Sequence, residues 1–300
     1  MLAILGGLGA ALCWALSSLA SARSARRIGA WSTVAWVMLI GSAIAIPVTF
    51  VAGGRPTLSG TAVVLLVASG LSNVVGLVLI YSAFRIGKVA VLAPIASTEG
   101  AMGAVIAVLL GEQVTPLVGA ILAAIAIGIV LATAEREADA TVEPGGLAAI
   151  DPEIAGGTTR GLPARAVVLG LVSAFLFGIN LYASARIGAE LPVIWSILPA
   201  RVAGTIGLAI PLLLLGRLRL SREALPFVLI VAVCEIVGTA VYALGAQDGI
   251  AVAAVTSSQF GAIAAIASVA LFGERLRRIQ LAGVVVIAAG VAALAALQAG

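Results

Sequence analysis

Apolar runs of bilayer-crossing length alternate with short polar breaks along almost the whole chain. A span needs ~20 predominantly apolar residues, and the runs predict ten helices. These cover 2–22, 31–52, 60–84, 89–111, 115–134, 165–186, 192–215, 225–246, 251–273 and 278–298. The long break is 135–164, acidic and bearing Gly and Pro. It is too polar for lipid and too poor in apolar residues to fold alone, so it predicts a flexible linker. The other connections are short, which sets neighbouring helices antiparallel. The expected fold class is an all-α integral membrane protein with a first five-helix repeat in 1–134, the linker in 135–164 and a second repeat in 165–300.

The two halves answer each other in register. Gly87 to Glu112 returns, 162 residues later, as Gly249 to Glu274. Ala20 to Arg23 (ASAR) returns as Ala183 to Arg186, the pair Trp31 and Pro47 as Trp195 and Pro211, and Gly128 as Gly290. A shift held at 162 to 164 across all five helices is the mark of duplication. Five is odd, so the second copy enters the membrane from the opposite side and the repeat is inverted. Such folds place a site near mid-membrane between the halves.

Composition narrows the class. The chain is 62% hydrophobic and 10% charged, against roughly a quarter charged in soluble domains. The net charge of +4 does not point to nucleic acid, because the basic residues flank apolar runs instead of forming a face. Loops after the odd helices hold fourteen of the 17 Lys and Arg residues: Arg23, Arg26, Arg27, Arg85, Lys88, Arg136, Arg160, Arg165, Arg217, Arg219, Arg222, Arg275, Arg277 and Arg278. The positive-inside rule puts those loops in the cytoplasm and both termini outside. The first run lacks a basic leader and a small-residue exit, and reads as a retained helix. There is no His, and the two cysteines lie inside apolar runs. No metal or cofactor is expected, and without a phosphate loop or a nucleophile elbow any driving force is a gradient.

With its duplicated five-helix pattern, the chain resembles the ten-helix, EamA-like branch of the drug/metabolite transporter superfamily. Leu110-Gly111-Glu112 with Gly119 and Gly128, and Phe272-Gly273-Glu274 with Gly283 and Gly290, carry the resemblance, helped by Arg201 and the patch Pro94 to Thr98. It implies export of small metabolites through a central cavity, with bacterial exporters of amino acids, aromatic ones above all, as the expected kin and the bacterial inner membrane as the location. Both termini in the cytoplasm are usual for such proteins, whereas the charge count gives the reverse. Helix 9 also lacks a counterpart of Pro94, which predicts a less kinked half-site.

Ionisable groups within a span cost about 3 kcal/mol at mid-depth, so each needs a reason. Three lie well inside: Glu99, Arg201 and Glu235, the last equivalent to Asn73. In one reading the acids take an amine or a proton and Arg201 takes a carboxylate; in the other they form a packing salt bridge. Polar neighbours add Ser17 and its mate Asn180, Ser97 and Thr98, and Ser258 and Gln259. Trp14, Tyr81, Tyr182 and Tyr242 are candidates for an aromatic wall, with Phe177 equivalent to Trp14. Helices 5 and 10 carry small-residue stripes, through Gly128 and Ala292, suited to scaffold packing or to a dimer contact. Glu112 and Glu274 fall at helix ends and read as structural. The expected partners are a small-molecule substrate and the lipid bilayer, with coupling to protons or transport down the substrate's own gradient both open, as are monomer and homodimer. A multidrug exporter and a passive channel are the alternatives, while an enzyme would need a cluster of reactive groups that the chain lacks.

Overall fold

The computed structural model describes residues 2–54, 56–99, 102, 116–133, 163–247, 257–273, 276 and 278–299. The linker 135–164, apart from Pro163 and Ala164, lies outside the described residues, as do Glu112, Glu274 and Thr256. Among the described residues the structure is entirely helical. The helices are α1 (Leu2–Ile28), α2 (Ala30–Ala52), α3 (Gly60–Ile86), α4 (Val89–Ala96), α5 (Pro116–Thr133), α6 (Ala164–Glu190), α7 (Ile194–Leu214), α8 (Leu225–Ala246), α9 (Phe260–Phe272) and α10 (Arg278–Ala299). Of these, α1, α2, α3, α6, α7 and α8 are long and apolar enough to cross a membrane. α1 runs past the predicted stop at residue 22 and stays helical through Arg26 and Arg27.

Packing obeys the exchange of the two repeats. α1 lies along α8, and its equivalent α6 lies along α3. The remaining partners are each other's equivalents: α2 with α7, α4 with α9, and α5 with α10. This is an inverted repeat closed on itself about a pseudo-twofold axis. At the α5–α10 seam Gly128 sits against Ile287, and its mate Gly290 sits against Ile125. Small residues here let the backbones approach, and dispersion at close range replaces the hydrophobic effect that lipid cannot supply. Large side chains such as Leu12, Phe50, Val64, Ile206, Leu214 and Ile266 face outward, as a lipid-facing surface requires.

α7 departs from ideal geometry at Thr205–Ala209, a π-helical turn. It precedes Pro211, whose ring and missing N–H cannot fit a regular ladder. Ser42 of α2 ties this turn down: its Oγ donates to the Arg201 carbonyl at 3.0 Å and shares a 2.8 Å bond with Thr205 Oγ1. Ser42 and Thr205 are repeat mates, 163 residues apart, so this bond marks the pseudo-twofold axis.

The helical segments that hold α4 and α9 are both interrupted. The chain turns at Ser97–Thr98 after α4 and at Ser258–Gln259 before α9. Ser97 (φ −67°, ψ −6°) and its mate Gln259 (φ −69°, ψ −6°) share one backbone conformation. The half without a proline is therefore broken at the same place as the half with Pro94. Irregular backbone at membrane depth is tolerated where protein covers it, and Ser97, Thr98, Ser257 and Ser258 are buried.

Candidate functional site

A cavity of about 80 Å³ lies between the halves. α1 contributes Trp14, Ser17 and Ser18; α3 contributes Asn73, Leu77, Ile80, Tyr81 and Phe84; Ala96 and Glu99 come from the end of α4 and its turn. The second repeat adds Phe177, Asn180, Leu181 and Ser184 from α6, Glu235, Thr239 and Tyr242 from α8, and Phe260 from α9. The volume is several times what one water needs.

Two seams hold the polar groups in place. On α1–α8, Ser17 Oγ donates to Glu235 Oε1 at 2.7 Å. On the equivalent α6–α3 seam, Ser69 Oγ donates to Asn180 Oδ1 at 2.8 Å and lies 3.2 Å from Ser184 Oγ. The two are not copies. Asn180 is the mate of Ser17, but its partner Ser69 sits one turn before Asn73, the mate of Glu235. Asn73 is thus left with a buried Oδ1 that has no hydrogen-bond partner. Such an atom costs about 1–3 kcal/mol, and it faces the cavity.

The walls are aromatic and seated on glycine. Trp14 lies over Gly238 of α8, and its mate Phe177 lies over Gly76 of α3, the mate of Gly238. A Cβ at Gly238 would stand 2.7 Å from Trp14 Nε1, and one at Gly76 would stand 2.7 Å from Phe177 Cε1. Only glycine leaves room for these rings. Trp14 also packs on Tyr242 at 5.8 Å between centroids and meets Phe260 edge-on at 6.2 Å. Across the cavity Tyr81 stacks on Phe84. The Tyr81 hydroxyl lies near the Ser17 and Ser21 hydroxyls without a well-aligned bond to either.

Among the described residues, the lining holds two carboxylates, Glu99 and Glu235, within electrostatic range of each other, and no Lys or Arg. Both are more than nine-tenths buried. Arg201 stands outside the lining. It lies on α7 at the axis, buried against α2, within electrostatic range of Glu235 and Tyr81. Its Nη1 is 3.6 Å from Met38 Sδ, and its aliphatic stem fills the space over Gly41. Met38 is its repeat mate and in turn fills the space over Gly204. One member of this symmetric pair is a thioether and the other a guanidinium.

Trp14, Ser17, Asn73, Tyr81, Glu99, Asn180, Glu235 and Tyr242 therefore meet in the cavity. Six sequence candidates stand elsewhere. Ser97 Oγ and Thr98 Oγ1 turn back to the carbonyls of Pro94 (2.9 Å) and Ile95 (2.7 Å), completing the break after α4. Ser258 and Gln259 sit in the equivalent turn; Gln259 Nε2 is buried without a partner. Tyr182 is 36% exposed on the outer face of α6, and Arg201 lies at the α2–α7 axis. The sequence candidates did not include Leu77, Ile80, Phe84, Ala96, Thr239 or Phe260. Repeat register leads from the candidate Tyr242 to Ile80, whereas Leu77 and Thr239 are each other's mates and neither was a candidate.

At the arginine-rich end, Arg23 lies over the rings of Phe227 (5.4 Å) and Phe272 (5.0 Å), and Arg27 over Phe227 (5.3 Å). Arg27 Nη1 donates to the Glu223 carbonyl at 2.9 Å. The ends of α1 and α9 and the start of α8 are thereby drawn together.

A profile of the EamA-like transporter family matches residues 1–134 and 164–296. No curated protein matches the chain. One solved crystal structure is similar over 99% of this chain and 97% of its own, with a TM-score of 0.62 and 18% identity; at that identity the likeness shows the fold. With two matches that leave out little beyond the linker, on an all-helical duplicated fold, the chain belongs to the EamA-like transporter family, whose members carry small molecules across membranes.

Proposed function

We propose that the chain is a secondary transporter that exports small amine-bearing metabolites, amino acids with apolar or aromatic side chains first among them. It works by alternating access around the cavity between the inverted halves. The observation that supports this reading is the pairing of two buried acids, Glu99 and Glu235, in one aromatic-walled cavity whose described lining includes no Lys or Arg. An ammonium fits between the carboxylates. An apolar side chain fits the wall of Trp14, Tyr242 and Phe260, and a substrate carboxylate finds neutral donors on Asn73, Asn180 and the tyrosines. A proton on Glu235, exchanged for the substrate amine, couples transport to a gradient. The halves rock about the α2–α7 axis, and the arginine-rich end faces the cytoplasm of a bacterial inner membrane.

The same two acids favour one second reading, export of organic cations without a carboxylate. Counterflow of labelled amino acids in proteoliposomes, beside their methyl esters and a quaternary ammonium, separates the two. Competition by free amino acids supports the first reading. Competition by esters and the quaternary ammonium alone supports the second. No saturable counterflow of any of them overturns both.

A further inference from the structure

A second concavity, of about 540 Å³, opens at the arginine-rich end of the helices, away from the central cavity. Four arginines from three separate places wall it: Arg85 at the end of α3, Arg165 at the start of α6, and Arg217 and Arg219 in the α7–α8 loop. Among the described residues, no Asp or Glu shares that lining. Charges that serve only to orient a membrane protein have no reason to converge on one hollow, where like charges repel.

The hollow is also built, not merely charged. Ser32 Oγ accepts the Arg219 backbone N–H at 3.2 Å, and Trp36 Nε1 donates to the Arg219 carbonyl at 3.0 Å. These bonds fix the α7–α8 loop against the α1–α2 corner. Because Ser32 Oγ accepts there, its own proton is directed elsewhere. The positive end of the 27-residue helix α6, which starts one residue before Arg165, adds to the field there. Apolar side chains complete the lining, with Trp31 (58% exposed) and Ile86 at the open rim. An exposed Trp at a helix end belongs at the depth of lipid headgroups.

We infer that this vestibule binds the phosphate headgroup of an anionic phospholipid, with its glycerol and upper acyl chain lying on Trp31 and Ile86. Four guanidiniums suit phosphate oxygens in bidentate geometry, and basic pockets between helices on the arginine-rich side recognise such lipids. A free phosphate would use the arginines but not the apolar rim. This assignment is independent of what the central cavity carries.

The test uses the full chain in detergent with phosphatidylglycerol or phosphatidylcholine added, bound lipid being counted by native mass spectrometry. The wild type retains phosphatidylglycerol in preference. Arg165→Gln and Arg219→Gln each weaken retention about fivefold, the effect of one interfacial arginine, and the double variant falls to the phosphatidylcholine level. Arg222→Gln, in the same loop but outside the lining, changes nothing. Thermal unfolding with and without phosphatidylglycerol, on the same samples, shows that each variant is folded and reads binding a second way. Equal retention of both lipids, or equal losses from Arg222→Gln and Arg219→Gln, overturns the inference. Complete displacement of phosphatidylglycerol by millimolar inorganic phosphate overturns the lipid source in favour of a free anion.

Discussion

Ser17 Oγ stands 2.7 Å from Glu235 Oε1 and donates to it across the α1–α8 seam. This bond fixes one of the two acids in the cavity and ties it to the seam that must slide if the halves rock. A hydrogen bond to a charged group contributes about 1.5–3 kcal/mol. Ser17→Ala is therefore expected to lower counterflow about tenfold or more, with Glu235 free to turn. Glu235→Gln keeps an acceptor for Ser17 but cannot exchange a proton. It should remove the dependence of counterflow on an imposed pH gradient in the protein that still folds. Counterflow at several imposed gradients, run on both variants, checks this. A gradient response that survives in Glu235→Gln would move the coupling to Glu99, the other buried acid of the lining.

The ring-on-glycine contacts predict an asymmetric pair of stability losses. Forcing a methyl into a packed interface costs about 1–3 kcal/mol. At Gly238 the new Cβ meets Trp14 and, at 3.1 Å, the Cβ of Cys13; at Gly76 it meets only the edge of Phe177. Gly238→Ala should lower the unfolding midpoint more than Gly76→Ala. Adding Trp14→Phe to Gly238→Ala should recover part of the loss, because the smaller ring vacates the position of Nε1. Thermal unfolding of the two single variants and the double variant measures both.

Asn73 and Asn180 should behave in opposite ways. Asn73 holds a buried, unpartnered oxygen toward the cavity, while Asn180 is bonded to Ser69. Asn73→Leu removes a group that costs stability, about 1 kcal/mol or more, and should raise the unfolding midpoint while abolishing counterflow. Asn180→Leu takes from Ser69 its 2.8 Å acceptor, leaving only the 3.2 Å contact with Ser184, and should lower the midpoint. A destabilised Asn73→Leu would mean that its oxygen is satisfied in the folded protein.

Much of this fold was legible because lipid imposes length. Apolar runs located the helices, and a constant register located the repeat that pairs α1 with α8 and α6 with α3. Depth was legible too, so Asn73, Glu99 and Glu235 could be placed mid-span. Facing was not. In a soluble helix the apolar stripe marks the buried side, but here lipid and interior are both apolar and the stripe vanishes. That is why Tyr182 looked equivalent to Tyr242 although one faces outward and the other lines the cavity. Nor could sequence show that Ser97 and Thr98 spend their hydroxyls on their own helix. The break before α9 left no proline to mark it, since its cause is the crossing with α4, where Gly261 sits against Ser97 and the Ala93 carbonyl.

Arg201 carries the last prediction, because its setting separates a ligand from a counter-charge. It is buried on the pseudo-twofold axis and outside the cavity lining, with Glu235 as the acid in electrostatic range. If its role is to balance that acid, removing either partner alone leaves a buried charge uncompensated, which costs about 3–5 kcal/mol for a true pair. Arg201→Gln and Glu235→Gln should each lower the unfolding midpoint, and the double variant should lose less than the sum of the two. A double-mutant cycle on thermal unfolding reads this coupling directly. Arg201→Lys should restore little, since a compact ammonium cannot fill the space over Gly41 that the guanidinium stem occupies. Additive losses would sever Arg201 from Glu235 and leave it a packing group. An Arg201→Gln variant that is fully stable but has lost affinity for amino acids, and not for their esters, would instead make it the ligand of the substrate carboxylate, reached when the halves move.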